Sequence, residues 1–145
     1  PLFVRTPDSV FSLGNVMRAQ LYGVFGTLAL GMRVLTDEGV RLDRMRAHGG
    51  GFRTPGVAQR FLAGALRAPV AIGATASEGG AWGIAVLAGY LGRADRLDAY
   101  LDERVFSAAA TDVVEPDPAD VAGFDAYLDR YRAGLAIEAA AVTAL

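Results

Sequence analysis

The feature that most constrains this chain is an alternation: a short apolar or β-branched run, a turn rich in glycine or proline, then a segment of helical periodicity. Residues 2–5 read as a short strand, closed by Thr6-Pro7-Asp8-Ser9, and a helix over 12–37 follows. Its Val16, Leu21, Val24, Phe25, Leu28, Met32 and Leu35 recur at steps of three and four. Tyr22 and Phe25 are expected in the core, and Gly39 suits a left-handed cap. Ala19, Gly23, Gly26, Ala29 and Gly31 line the same helix and imply close approach by a neighbouring element. Residues 43–47 form the second expected strand. After His48-Gly49-Gly50-Gly51, a helix over 54–66 is expected to open with Thr54 as N-cap and Pro55 at the first helical position. Residues 69–74, bounded by turn-formers, read as a buried strand. The turn Ser77-Glu78-Gly79-Gly80 then leads into a helix over 81–91.

The remainder reads as mostly helical: a short helix over 97–106, an extended link over 113–116 and a long helix over 118–145. Asp117 caps that last helix, and Asp120 completes a start resembling a capping box. Strand followed by helix, three times over, predicts an α/β fold with a sheet covered by helices. The 145 residues have room for one domain with a real core.

Composition removes several function classes. Every one of the 14 basic residues is arginine, scattered among 16 acids, so there is no basic face and nucleic acid is not an expected partner. The chain has no cysteine and one histidine, His48, which excludes a disulfide framework, a thiolate site and a histidine-rich metal site. The most apolar window, 19–32, contains Gln20 and lies between Arg18 and Arg33. It is too short to span a bilayer. With no basic leader or cleavage signal, the expected setting is the cytoplasm, without a membrane partner.

The two glycine runs are where chemistry is expected. His48 to Gly51 sits where a strand ends and a helix begins. Three glycines without β-carbons allow a flat ring or a phosphate to approach the backbone, and a helix start behind them favours an anion. The alternative reading of the run is a plain flexible turn between strand and helix. It is neither G-x-G-x-x-G nor G-x-x-x-x-G-K-S/T, so the dinucleotide and Walker readings lack their fingerprints. Other polar residues have structural explanations: His48 in local backbone bonding, Glu78 as a dipole partner, Asp95/Asp98 and Asp117/Asp120 as caps and solvated faces. Trp82 is expected in packing.

The stretch Gly49-Gly50-Gly51-Phe52-Arg53-Thr54-Pro55-Gly56-Val57-Ala58-Gln59 resembles the adenosine motif of FGGY carbohydrate kinases: a glycine triplet, a Ser/Thr/Asn three residues later, and a Gln five beyond it. Ala68-Pro69-Val70 and Glu78-Gly79-Gly80-Ala81-Trp82-Gly83-Ile84-Ala85 are similar to the family's downstream segments, and residues 15–31 to its long helix. The tail, with Tyr127, Tyr131, Gly134, Leu135 and Glu138, resembles the closing helix of the pentulose kinase branch.

The resemblance implies the actin/hexokinase-type (ribonuclease H-like) fold, with residues 1–145 as the C-terminal nucleotide-binding lobe of a longer kinase, short of its first strands. It implies transfer of the γ-phosphoryl of Mg-ATP to a sugar hydroxyl, with a pentulose such as xylulose or ribulose as leading substrate. Gly50 and Gly51 would lie against adenosine and the α-phosphate, Gly49 would shape the turn, and Thr54 would contact the nucleotide or serve as the helix cap. Gln59 would be structural. The catalytic carboxylate, most sugar contacts and most of the Mg2+ site would belong to the N-terminal lobe, so no catalytic or metal residue is assigned here. The partners implied are ATP or ADP, the sugar and that lobe. Self-association is expected of the isolated chain through an unpaired sheet edge. Two departures, Val57 for an aromatic and no acid across Phe61-Leu62-Ala63-Gly64, place the chain in a side branch. The alternative reading is a nucleotide-binding or interaction module without the kinase chemistry.

Overall fold

The computed structural model describes residues 3–74, 76–107 and 110–144. Ser12 starts the first helix: its backbone is extended and its side chain accepts from the Asn15 N–H, pairing one of the amides a helix start leaves open. Helix α1 runs Leu13–Asp37. Gly39 takes the left-handed conformation at φ 81°, and the Val40 N–H reaches back to the Leu35 carbonyl at 2.9 Å while Gly39 donates to Thr36. This double closure is the Schellman arrangement, and it needs the glycine.

Strand β1 (Met45–Arg46), helix α2 (Val57–Leu66) and strand β2 (Val70–Gly73) form a parallel βαβ unit, with Met45 beside Val70 and Arg46 beside Ala71. Helix α3 (Gly79–Tyr90) follows, then α4 (Leu97–Tyr100), which widens into a π-helical turn over Leu101–Val105. Strand β3 (Thr111–Val114) runs antiparallel to β2, from Val70 opposite Val114 to Gly73 opposite Thr111. Helix α5 (Pro118–Ala144) is the last element. The sheet order is β1-β2-β3, so the architecture is mixed α/β with β2 in the centre.

Several sequence expectations shift. Residues 3–5 form no strand, and residue 2 lies outside the described part. Of the expected extended link, Val113 and Val114 are the end of β3, paired through the backbone with β2, and residues 115–116 lie beyond the strand. Helix α2 begins at Val57 with Gly56 as N-cap at φ 78°, so Thr54 is not its cap. Helix α3 starts two residues early, at Gly79. Asp117 does cap α5, accepting from the Ala119 and Asp120 N–H groups. Asp120 does not complete a capping box, because its carboxylate holds Arg60 of α2.

Helix α2 is the hub of the core. Ala58, Gln59, Leu62, Ala63 and Gly64 are buried; the helix packs on β2 and β3 and against both α1 and α5. Only one stripe of α1 is buried: Tyr22, Phe25, Gly26 and Ala29, at the i, i+3, i+4, i+7 spacing of a helix face. Val24, Leu28 and Leu35 are exposed. Tyr22 meets Phe61 and Phe124 edge-on, at centroid distances of 5.4 and 5.1 Å. The small residues of α1 admit α5: a β-carbon at Gly26 would stand 3.3 Å from the Tyr131 ring, and one at Gly23 would stand 3.4 Å from the Tyr127 hydroxyl. Full burial of Phe124 and Leu128 stabilises by roughly 1.5–3 kcal/mol each. Helix α3 carries no buried residue; Trp82 leans on Phe106 at 5.7 Å, and Ile84 and Leu91 face outward.

Candidate functional site

The carboxyl ends of β1 and β2 point the same way, so the turns that follow them emerge side by side. In open α/β sheets this is where ligands bind. After β1, Gly49 adopts φ 113° and ψ 169°, a region essentially reserved for glycine. The chain then makes one tight 3-10 turn, Gly50–Phe52. After β2, a second tight turn, Ala76–Glu78, leads directly into α3. The Gly49 N–H donates to the Ala76 carbonyl at 2.7 Å and clamps the two turns together.

They are clamped a second time through His48. Its ring lies against the backbone of Gly79, where an added β-carbon would stand 2.6 Å from Nδ1 and 2.7 Å from the histidine Cβ. Among the described residues the ring makes no hydrogen bond, so His48 acts here by packing rather than by the local backbone bonding expected of it. Gly79 is glycine because nothing larger fits.

Between the turns lies a cleft of about 310 Å3, lined by Phe52, Arg53, Ile72, Gly73, Ala74, Ala76 and Ser77. Gly49, Gly50 and Gly51 immediately precede its Phe52 and Arg53 in the chain, and a β-carbon built on any of them would meet no heavy atom within 4 Å. The backbone conformation demands glycine at position 49, but packing within the chain does not demand it at 50 or 51. Thr54 is exposed in the bend after the 3-10 turn, and among the described residues it makes no side-chain hydrogen bond. The three glycines directly precede Phe52 and Arg53, which line the cleft, but are not themselves part of its lining, and Thr54 does not cap α2, whose N-cap is Gly56.

Arg53 is the one charged residue in that lining. Its guanidinium reaches across to the Glu78 carboxylate at 2.6 Å, joining the two turns a third time. Sequence reasoning passed over Arg53, although it was the single charge between the glycine run and Thr54. Glu78 stands at the N-cap of α3 without capping it by a side-chain bond. Asp95 and Asp98 pair with Arg93 and Arg96 two residues away, and hydrogen bonds from those guanidinium groups hold both carboxyls below the usual range. Among the described residues no three histidine or acidic side chains gather where they could hold a metal ion.

Behind the cleft, Gln59 of α2 is almost fully buried. Its Nε2 donates to the Val70 carbonyl of β2 at 2.9 Å and to the Asp112 carbonyl of β3 at 3.0 Å. The side-chain amide thus staples two strands to the helix that follows the glycine turn, the structural part expected of it.

Comparison with protein families matches residues 1–92 to the C-terminal domain of the FGGY family of carbohydrate kinases. The chain belongs to that family. The match takes in α1, β1, the glycine triplet, α2, β2, the second turn and α3 of this FGGY chain. It ends at Gly92, so the likeness of α5 to a pentulose kinase helix rests on its own residues. Comparison with curated proteins and with solved structures gives no significant match. Among the described residues, no helix of the FGGY chain is long and apolar enough to cross a membrane.

Proposed function

We propose that this FGGY chain forms the nucleotide-binding side of a cytoplasmic sugar kinase, which transfers the γ-phosphoryl of Mg-ATP to a sugar hydroxyl, with a pentulose as leading substrate. Gly50 and Gly51 make the surface on which adenosine and the α-phosphate rest, Gly49 sets the turn, and the exposed Thr54 contacts the nucleotide. The observation that carries this reading is the bare glycine triplet. It leads into Phe52 and Arg53 of the cleft that lies past the carboxyl ends of two parallel strands. The backbone demands a glycine at position 49, but no neighbour within the chain requires the missing side chains of Gly50 and Gly51.

Phosphoryl transfer asks the protein chiefly to position groups and neutralise charge. In this reading the N-terminal lobe brings the carboxylate that accepts the hydroxyl proton and most of the site that holds Mg2+.

Substituting Gly50→Val or Gly51→Val tests the assignment cleanly. Both positions have room for a side chain, so melting should hardly move, while ATP affinity should fall by about 2 kcal/mol or more, the scale of steric overpacking. Unchanged ATP affinity in a folded variant would show that the triplet is only a turn.

A further inference from the structure

Arg53 and Glu78 sit on opposite turns of the cleft and meet across it at 2.6 Å, through one guanidinium nitrogen and one carboxylate oxygen. Both side chains are about two-thirds exposed, at 66% and 65%. A pair so placed adds little to stability, and it leaves the other N–H groups of the guanidinium unengaged by Glu78. A phosphate offers the same nitrogens a two-pronged, charge-assisted partner and is the stronger acceptor. The remaining lining is apolar or uncharged: Phe52, Ile72, Gly73, Ala74, Ala76 and Ser77. An anion entering the cleft therefore has one cation to meet, already tethered at its rim.

We propose that Arg53 is the phosphate-recognising residue of this cleft, and that Glu78 competes with the phosphate for the same guanidinium. The assignment rests on the nucleotide reading above and deepens it: it makes the ligand a phosphorylated nucleoside rather than a nucleoside. Glu78 gives the site a threshold. A ligand without phosphate leaves the Arg53–Glu78 pair intact and gains nothing from Arg53. One with phosphates exchanges a weak surface pair for a stronger contact and releases Glu78 at the start of α3.

The test is calorimetric titration of adenosine and of ADP into the full protein and its Arg53→Ala, Arg53→Lys and Glu78→Gln variants, all of which alter exposed side chains. Arg53→Ala should weaken ADP about tenfold or more, the scale of a charge-assisted hydrogen bond, and leave adenosine unchanged. Arg53→Lys should recover part of the loss, since it keeps the charge without the fork. Glu78→Gln should tighten ADP by up to about fivefold, the most a surface pair of this kind can withhold. Equal losses for adenosine and ADP in Arg53→Ala, or no loss for either, would overturn the role of Arg53 while leaving nucleotide binding standing. Weaker ADP binding in Glu78→Gln would overturn the competition. A parent protein that binds neither compound would overturn the nucleotide reading and this proposal together.

Discussion

Gln59 offers the sharpest test of how the fold holds the cleft in shape. Its Nε2 makes two hydrogen bonds in a nearly dry setting, to Val70 and Asp112, while its Oε1 is buried without a partner. A net hydrogen bond is worth about 1 kcal/mol, so Gln59→Leu forfeits roughly 2 kcal/mol, partly offset by removing the unpaired oxygen. Gln59→Ala also leaves a void and should cost about 3–4 kcal/mol. Gln59→Glu should be the worst at neutral pH, on the order of 4 kcal/mol, because a buried carboxylate would face two carbonyl oxygens. Burial raises that carboxyl above its unfolded value of about 4.3; stability is then lost as pH rises through the raised value and regained on acidification. Urea unfolding followed by circular dichroism, at pH 7 and near pH 5, gives all three numbers. A Leu variant within about 0.5 kcal/mol of the parent, the reach of an ordinary surface change, would refute the staple. So would a Glu variant no worse than Leu at neutral pH.

Three further outcomes are expected. Gly79→Ala should destabilise by about 1–3 kcal/mol, because the His48 Cβ that obstructs it is fixed to the backbone; the penalty should largely vanish in a Gly79→Ala/His48→Gly double variant, read by thermal melts. Burial raises the Tyr22 pKa above the tyrosine norm, so its stabilising contribution is full below about pH 10 and fades as pH rises further. Tyr22→Phe should match the parent at neutral pH and outlast it in alkaline melts. The 145-residue chain on its own should release no ADP with xylulose or ribulose in a coupled assay, and sugar-dependent turnover would mean that the chemistry lies within these residues.

Much of the candidate site was legible in the residues. The glycine triplet after a short strand, and the second glycine turn after an apolar run, are local signals, and β1, β2 and α3 lie within a few residues of where periodicity put them. The N-terminus of α2 was misplaced because Thr54-Pro55 carries the side-chain chemistry of a helix start. The backbone instead spends those residues leaving a 3-10 turn and starts at Gly56 with no side-chain cap. Strand β3 was legible only as extended: its residues are largely exposed, so no alternation marks it, and its identity comes from hydrogen bonds to β2.

What the sequence determined by itself was whatever depends on neighbours along the chain. That covers the helix start near Ser12, the left-handed closure at Gly39 and the two bare turns, since near-neighbour sterics and hydrogen bonding decide them. The tertiary structure decided which apolar face of α1 is inside. Its exposed Val24 and Leu28 are as apolar as its buried residues, and only the arrival of α2 and the α5 tyrosines distinguishes them. It also decided that His48 fits a glycine 31 positions on, that Gln59 reaches two strands, and that Arg53 meets Glu78 over the cleft. Those contacts join residues distant in sequence, and they exist because two parallel strands deliver their turns to the same end of one sheet.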